Sequence, residues 1–219
     1  MSLRPPLLAL AAFACIGAAA PQSATRPIPG MVRVRITTSA GAIVVALDTK
    51  RAPRTTANFL AYADDGRFDG GTFFRAARSK WKKVQGFIEG GIGNDPRRAL
   101  DPIPLEPTSR TGVHHVDGAI SMAHGDGQPN SATGDFSLLA GAAPEMDAKP
   151  GRPGYAAFGR VIAGMDVVKR ILGMPTAKGG AGAFKDETLA PPVKILSVHR
   201  LDGQSHPTGR PKPWLLFAR

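Results

Sequence analysis

The chain has 219 residues, 42% of them apolar, which fits one globular domain with a full core and excludes a disordered chain. Its 26 glycines and 20 prolines favour a loop-rich β or α+β protein over a helical bundle. The formal net charge of +11 admits three interpretations, which are nucleic-acid binding, weak contact with an anionic membrane or cell-wall surface, and a basic soluble surface. We expect the third, keep the second as an alternative, and expect no nucleic-acid partner.

Residues 1–20 have the features of a secretory signal peptide. Arg4 supplies the positive charge, and the apolar run at 7–20 is too short to span a bilayer and ends in three alanines. We therefore expect export, to the periplasm, with a lipoprotein anchored through Cys15 as the minor alternative. Cys15 is the only cysteine, so a processed chain would have no disulfide, no thiol nucleophile and no cysteine-based metal site.

The first predicted elements are a strand pair and a helix. Residues 32–37 alternate apolar and polar, as in a half-buried strand, and residues 43–48 form the return strand of a hairpin. A helix is predicted over 52–63, because Pro53 suits a first helical turn and the apolar residues share one face. Gly66 is the candidate residue for ending it.

Six more strands and one more helix are predicted after this helix. The strands are at residues 72–75, 86–89, 119–123, 136–140, 156–162 and 193–198. The helix spans 164–172. About eight strands, two helices and long Gly/Pro loops predict a mostly β fold, a closed eight-stranded antiparallel barrel with two short helices capping its ends.

The chain divides into four segments. The signal peptide at 1–20 is followed by a Pro/Ser/Thr linker at 21–30, and the barrel domain is predicted at 31–202. A basic Pro/Gly tail occupies 203–219, and its apolar run at 214–217 is a candidate for docking onto the body. We expect the protein to be a monomer.

The common catalytic motifs are absent from the sequence. No HExxH, phosphate-cradling Gly-Lys-Ser/Thr or G-x-S-x-G pattern occurs. His114 and His115 are an isolated pair on a predicted loop, expected to be solvated, and no third ligand stands at a plausible spacing. Asp64, Asp65 and Asp69 flank glycines and fit turn chemistry. We therefore expect no metal and no cofactor.

Six motifs nevertheless occur in an order and at spacings that resemble the cyclophilins, the eight-stranded barrel family of peptidyl-prolyl isomerases. They cover residues 32–198 and read Ala52-Pro53-x-Thr55-x-x-Asn58-Phe59-Leu60, Phe68-Asp69-Gly70-x-Thr72-Phe73-Phe74-Arg75, Gly90-Gly91, Gly118-Ala119-Ile120-Ser121-Met122-Ala123, Asn130-Ser131-Ala132-Thr133-x-x-Phe136 and Phe158-Gly159-Arg160-Val161-x-x-Gly164-Met165-Asp166-Val167-Val168. The resemblance implies an isomerase of X–Pro bonds that binds proline-containing segments of exported or unfolded proteins.

Such a reaction suits a chain without a nucleophile. The X–Pro barrier, near 18–20 kcal/mol, is lost amide resonance, and no covalent bond breaks. As the bond twists, the nitrogen regains a lone pair, and a fixed donor stabilises that state more than the planar one. Arg75 matches the family's catalytic arginine, and we predict it at the end of strand 72–75. Its guanidinium is always charged and needs no pKa tuning.

The resemblance also implies a substrate groove. Its residues are Phe74, Phe87, Glu89, Met122, Ala123, Asp135, Phe136, Ser137, Met146 and Tyr155. Counting back from the glycine pair places Glu89 at the family's glutamine and Phe87 at its methionine. A one-residue gap would instead make Phe87 the pocket phenylalanine, and the sequence leaves both alignments open.

Several groove positions depart from the family pattern. Phe74 stands where the family has histidine, Asp135 stands at a glutamine, and Ser137 stands at the phenylalanine that floors the proline pocket. An ionised Glu89 only accepts hydrogen bonds, and we expect it to pair with Arg75. Two hypotheses follow, an isomerase with weakened turnover and a cyclophilin-fold module that binds peptides with negligible turnover.

Overall fold

The computed structural model of the protein describes residues 26–79 and 85–216, so the predicted signal peptide lies outside the described residues. The strands are β1 (Met31–Thr38), β2 (Gly41–Asp48), β3 (Thr72–Arg78), β4 (Gly86–Gly91), β5 (Ala119–Met122), β6 (Phe136–Ala140), β7 (Ala156–Ala163) and β8 (Thr188–Arg200). The helices are α1 (Pro53–Asp64), α2 (Thr108–Thr111) and α3 (Met165–Leu172), and 3₁₀ turns lie at Pro144–Met146, Gly182–Phe184 and Pro213–Leu216.

The eight strands close into one antiparallel barrel in the order β1-β2-β7-β5-β6-β4-β3-β8, with β8 paired back onto β1. The predicted mostly β, eight-stranded closed barrel is therefore confirmed. The predicted helices correspond to α1 and α3, whereas the single turn α2 was not predicted. None of the helices within residues 26–79 and 85–216 meets the length and hydropathy that a membrane span requires.

The barrel interior is filled by alternate residues of the strands and by one face each of α1 and α3. Phe59 of α1 meets Phe136 of β6 edge-on, with ring centroids 5.1 Å apart, and Phe73 of β3 meets Phe136 in the same way at 5.7 Å. Phe136 is fully buried in this cluster. It was predicted to bind substrate, but its side chain belongs to the core.

β3 carries a bulge at the point where the catalytic arginine was predicted. Phe73 pairs with Gly90 and Arg75 pairs with Glu89, so Phe74 is an extra residue without a counterpart on β4. The strand does not end at Arg75, as predicted, but continues to Arg78. A bulge shifts the alternation of side chains by one residue, which directs Arg75 to the opposite face from Phe73.

Gly90 allows the two strands to approach closely opposite the bulge. A Cβ atom at this position would lie 2.6 Å from a ring carbon of Phe73 and 2.7 Å from the carbonyl oxygen of Thr72. Any side chain there would push β4 away from β3. The Gly90-Gly91 motif thus preserves the pairing that places Glu89 opposite Arg75.

The C-terminal tail lies against the body of the protein. The backbone N–H of Thr208 donates to Asp65 at 2.7 Å, so this aspartate, predicted as a turn residue, also fixes the tail. Trp214 is buried, with the guanidinium carbons of Arg67 and Arg98 at 5.0 and 5.3 Å from its ring centre. These contacts anchor the tail far beyond the last strand.

Candidate functional site

The candidate site is built on one row of side chains that crosses four neighbouring strands. Arg75 of β3 lies opposite Glu89 of β4, Glu89 lies opposite Ser137 of β6, and Ser137 lies opposite Ser121 of β5. The flanking residues Ile88, Phe136, Leu138, Ile120 and Met122 belong to the core. Because side chains alternate along strands, the row faces the outside of the barrel.

A cleft of about 580 Å³ opens over this row. Nine of the eleven predicted site residues line it, namely Arg75, Phe87, Glu89, Met122, Ala123, Asp135, Ser137, Met146 and Tyr155. Phe136 lies in the core, and Phe74, the bulged residue, lies beside the ring of Phe184 with centroids 6.4 Å apart. The sequence therefore predicted most of the cleft but misplaced these two rings.

The guanidinium of Arg75 is held by two carboxylates and two aromatic rings. Its Nη1 donates to Oε2 of Glu89 at 2.8 Å, and its Nε donates to Oε2 of Glu187 at 2.7 Å. Its central carbon lies 5.0 Å from the ring centre of Phe87 and 4.8 Å from that of Phe184. Such charge-assisted bonds are strong in a partly buried site, and the side chain of Arg75 is only 14% exposed.

The predicted pairing of Glu89 with Arg75 is observed. Burial raises the pKa of Glu89 above its ordinary value, although the charge and hydrogen bond of Arg75 oppose the rise, while Asp135 and Glu187 add to it. While ionised, Glu89 accepts the arginine's hydrogen bond and has no proton to donate to a substrate. Glu89 therefore holds Arg75, and the cleft has no hydrogen-bond donor at this position.

Asp135 has a structural role in the wall of the cleft. Its two carboxylate oxygens accept hydrogen bonds from the backbone N–H groups of Gly93 and Asn94, at 2.8 and 3.0 Å. Burial raises its pKa, and the backbone donors oppose that rise. The carboxylate thus fixes the turn that follows β4, while its side chain still lines the cleft.

The far wall of the cleft is aromatic and tied together through the backbone. The rings of Tyr155 and His124 stack with centroids 4.4 Å apart and an interplanar angle of 18°. The N–H of Tyr155 donates to the carbonyl of Met146 at 2.9 Å, which joins the wall to the 3₁₀ turn. Met146 therefore provides apolar surface at a fixed distance from Tyr155.

His115 lies beneath the cleft and is fully buried, so the expectation that the histidine pair is solvated is wrong for it. Its Nδ1 lies 2.6 Å from Oδ1 of Asp147, and its Nε2 lies 2.8 Å from Oγ of Ser121. This is the order of a hydrolase triad. Ser121, however, is only 1% exposed. We therefore interpret this series of hydrogen bonds as a structural link between the cleft floor and Asp147.

The other histidine of the pair, His114, is more than half exposed and shares Asp147 through its second oxygen at 3.0 Å. Within residues 26–79 and 85–216, no group of three or more His, Cys, Asp or Glu residues is placed to hold a metal ion.

Sequence reasoning missed two residues that contact Arg75. Phe184 and Glu187 belong to the segment between α3 and β8, which is rich in glycine and alanine and carries none of the recognised motifs. Glu187 lies 112 residues from Arg75 in the chain. The only local signal is a single aromatic, Phe184, followed closely by the carboxylates of Asp186 and Glu187 in a segment rich in glycine and alanine.

Comparison with known proteins identifies the family. The family model described as cyclophilin type peptidyl-prolyl cis-trans isomerase/CLD matches residues 33–200. The chain is 33% identical over 166 residues to peptidyl-prolyl cis-trans isomerase cyp18 of Streptomyces antibioticus, covering 74% of this chain and 95% of that protein. It is 32% identical over 149 residues to peptidyl-prolyl cis-trans isomerase A of Dickeya dadantii, covering 67% and 74% respectively. The chain belongs to the cyclophilin-type peptidyl-prolyl cis-trans isomerase family.

Solved structures show the same fold. A crystal structure of a cyclophilin-type isomerase of Cryptosporidium parvum matches with a TM-score of 0.60 and 20% identity, covering 80% of this chain and 99% of that one. The structure determined in the presence of the dipeptide Ala-Pro matches with a TM-score of 0.59, covering 78% and 99%. At this identity the likeness supports the barrel fold.

The buried histidine generates a prediction about stability against pH. Burial lowers the pKa of His115 below its ordinary 6.5, although Asp147 and Glu145 oppose the shift and His114 adds to it. Below pH 6.5 His115 is protonated in the unfolded chain but is still neutral in the folded chain. The free energy of unfolding should therefore fall as pH drops towards the folded pKa. Chemical denaturation of the native chain and of His115→Asn between pH 7 and about 5 measures this loss, which should be smaller in the variant.

His206→Asn is the control, because this exposed histidine of the tail is not among the groups that shift the pKa of His115, so the acid destabilisation caused by His115 should remain. Equal slopes for the native chain and His115→Asn would show that other groups cause the acid destabilisation.

Proposed function

We propose that this chain catalyses cis–trans isomerisation of X–Pro bonds in exported or unfolded proteins, with Arg75 as the catalytic donor. Membership of the family supports the reaction class, and the named relatives are isomerases, which disfavours a module that binds without turnover. The observation that carries the proposal is an arginine held rigidly in an outward cleft by Glu89 and Glu187.

The bonding of Arg75 leaves a defined donor for a substrate. Arginine has five N–H donors in a planar fork, and Nε and Nη1 are engaged by carboxylates. No described residue accepts a hydrogen bond from Nη2. A donor at this nitrogen can bind the lone pair that appears on the proline nitrogen as the amide twists, and it needs no proton transfer.

The remaining cleft residues provide the surface that binds the proline-containing segment. Phe87, Met122, Ala123 and Met146 present apolar atoms around the row of strand residues. Apolar contacts bind the planar and twisted states alike, so they hold the peptide but do not lower the barrier themselves. The rate advantage must come from Arg75.

Arg75→Ala should therefore remove most of the turnover. Loss of one donor aimed at developing electron density costs about 2.7–4 kcal/mol in comparable sites, or on the order of a hundredfold or more in kcat/KM. A protease-free assay of cis–trans exchange in an Ala-Pro or Leu-Pro peptide measures this, with circular dichroism to confirm the fold. An unchanged kcat/KM in a folded variant would place catalysis elsewhere.

We further propose that turnover is weakened by two departures in the row itself. Ser137 is buried beside Glu89 where the family has a phenylalanine, so the cleft lacks a ring at its floor. Burying such a ring is worth roughly 1.5–3 kcal/mol. Glu89 adds a second defect, since while ionised it cannot donate to the peptide backbone.

The double variant Ser137→Phe with Glu89→Gln should raise kcat/KM on an Ala-Pro or Leu-Pro peptide. If all of the burial energy is realised in the twisted state, the gain from the ring is about ten- to a hundredfold, less whatever overpacking costs. The two single variants, measured in parallel, separate the ring from the donor. A correctly folded double variant that is no faster than the native chain would exclude the row as the cause of weak turnover.

We also propose that the protein is exported to the periplasm and acts there as a monomer. The charged residue, short apolar run and alanines of residues 1–20 support export, and those residues lie outside the described part. Mass spectrometry of protein from its native host should show a mature start between Ala20 and Ala24. A chain that keeps Met1 would contradict this, whereas a lipid on Cys15 would indicate the lipoprotein alternative.

A further inference from the structure

The segment between α3 and β8 is fixed in place beside the bulge of β3. Within it, the N–H of Asp186 donates to the carbonyl of Gly179 at 2.8 Å, and the N–H of Gly179 donates to Oδ1 of Asp186 at 2.7 Å. At its end, the carbonyl of Glu187 accepts the N–H of Ala76 at 2.8 Å. This segment, residues 177–187, is called the support loop below.

Two side chains of the support loop contact the guanidinium of Arg75. Glu187 binds Nε at 2.7 Å, and the Phe184 ring centre lies 4.8 Å from the guanidinium carbon. Phe184 is 39% exposed and lines the cleft, so the ring stands between the arginine and solvent. These contacts come from a different element than Glu89 and Phe87, which both belong to β4.

The two carboxylates together determine the orientation of the guanidinium. A single bond from Glu89 to Nη1 would leave the planar group free to pivot about that contact. A second bond at Nε, made by a residue whose backbone is hydrogen-bonded to β3, fixes both the direction and the plane of the fork. In that orientation Nη2 is the nitrogen left for a substrate. Orientation matters, because a misplacement of about 1 Å can cost on the order of a hundredfold in rate.

We propose that Glu187 is a positioning residue for Arg75 and that Phe184 holds the guanidinium plane from the solvent side. The inference rests on the proposed function, since it assumes that Arg75 is the donor. The support loop thus provides a second anchor for the arginine. With this anchor, Arg75 should keep its orientation in Glu89→Gln, because Nε remains bound to Glu187 when the charge of Glu89 is removed.

A rival interpretation of the same contacts makes the opposite prediction. Two carboxylates also reduce the positive potential of Arg75, so Glu187 could weaken the electrophile instead of orienting it. Removal of Glu187 would then raise kcat. If Glu187 positions Arg75, removal lowers kcat, because the guanidinium spends less time in the productive orientation.

The experiment compares variants of Glu187 and Phe184 in the mature chain, with kcat and KM measured separately on an Ala-Pro peptide. Glu187→Ala should lower kcat about tenfold with little change in KM. Glu187→Gln should recover part of the loss, because its amide oxygen still accepts from Nε in the same volume. Phe184→Ala should also lower kcat, and Phe184→Tyr, which keeps a ring beside the guanidinium, should lower it less. Lys185→Ala is the matched control within the support loop and should match the native chain.

A double-mutant cycle separates positioning from a general structural effect. In the Arg75→Ala background, Glu187→Ala should cause no further loss, because the residue that it positions is gone. A further loss there, or a kcat for Glu187→Ala at or above the native value, would overturn the inference while leaving the proposed function standing. If Arg75→Ala itself keeps full activity, the proposed function fails and the inference falls with it.

Glu187→Gln provides a second test of positioning in case Glu187→Ala does not fold. It keeps the volume and the hydrogen-bonding oxygen, so its kcat can be interpreted even if Glu187→Ala is unstable. A kcat for Glu187→Gln equal to or above the native value would count against positioning by a charged partner. A partial loss, with the melting temperature unchanged, supports it.

Discussion

The bulge at Phe74 is the constraint on which the rest of the site depends. In an unbroken strand, Phe73 and Arg75 would share one face, and the guanidinium would enter the core beside Phe136. An unpaired charge there would be very costly to bury. The extra residue lets Phe73 and Ala76 pack inside while Arg75 emerges outside between them. The bulge thus allows the same strand to contribute to a full core and to present the charged Arg75 on the outside of the barrel.

The emergence of Arg75 also explains the chemistry around it. A guanidinium that is mostly shielded from water needs compensation, and Glu89 and Glu187 provide it from both sides. The same compensation has a cost for substrate binding, because Oε2 of Glu89 is already bonded to Arg75 and an ionised Glu89 offers no hydrogen-bond donor. Ser137, the next residue in the row, leaves room where a ring would stand. In this site Arg75 is firmly held, whereas the apolar pocket beside Ser137 is incompletely filled.

Much of the fold could be read from the sequence, because strand alternation and the Pro53 helix start are local signals. Arg75 and Glu89 were found through motifs of fixed spacing. The bulge could not be predicted, since Phe-Phe-Arg reads as a regular strand and no glycine marks the extra residue. Phe136 was assigned to the groove because a motif gives position but not face. Glu187 was missed because its contact with Arg75 spans 112 residues, and no local pattern records such a pairing.

The row of Arg75, Glu89, Ser137 and Ser121 takes one residue from each of four strands, and the support loop that leads into β8 brings Glu187 to the same point. β4 pairs with β6 and β3 pairs with β8, strands that are far apart in the sequence, so the cleft is complete only when these long-range pairings have formed. Such long-range pairings form slowly, because the entropy cost of closing long loops comes before the contacts that offset it. Turnover therefore reports on strand pairing: in a refolding mixture, the rate on a proline peptide measures how many chains have formed these long-range pairings.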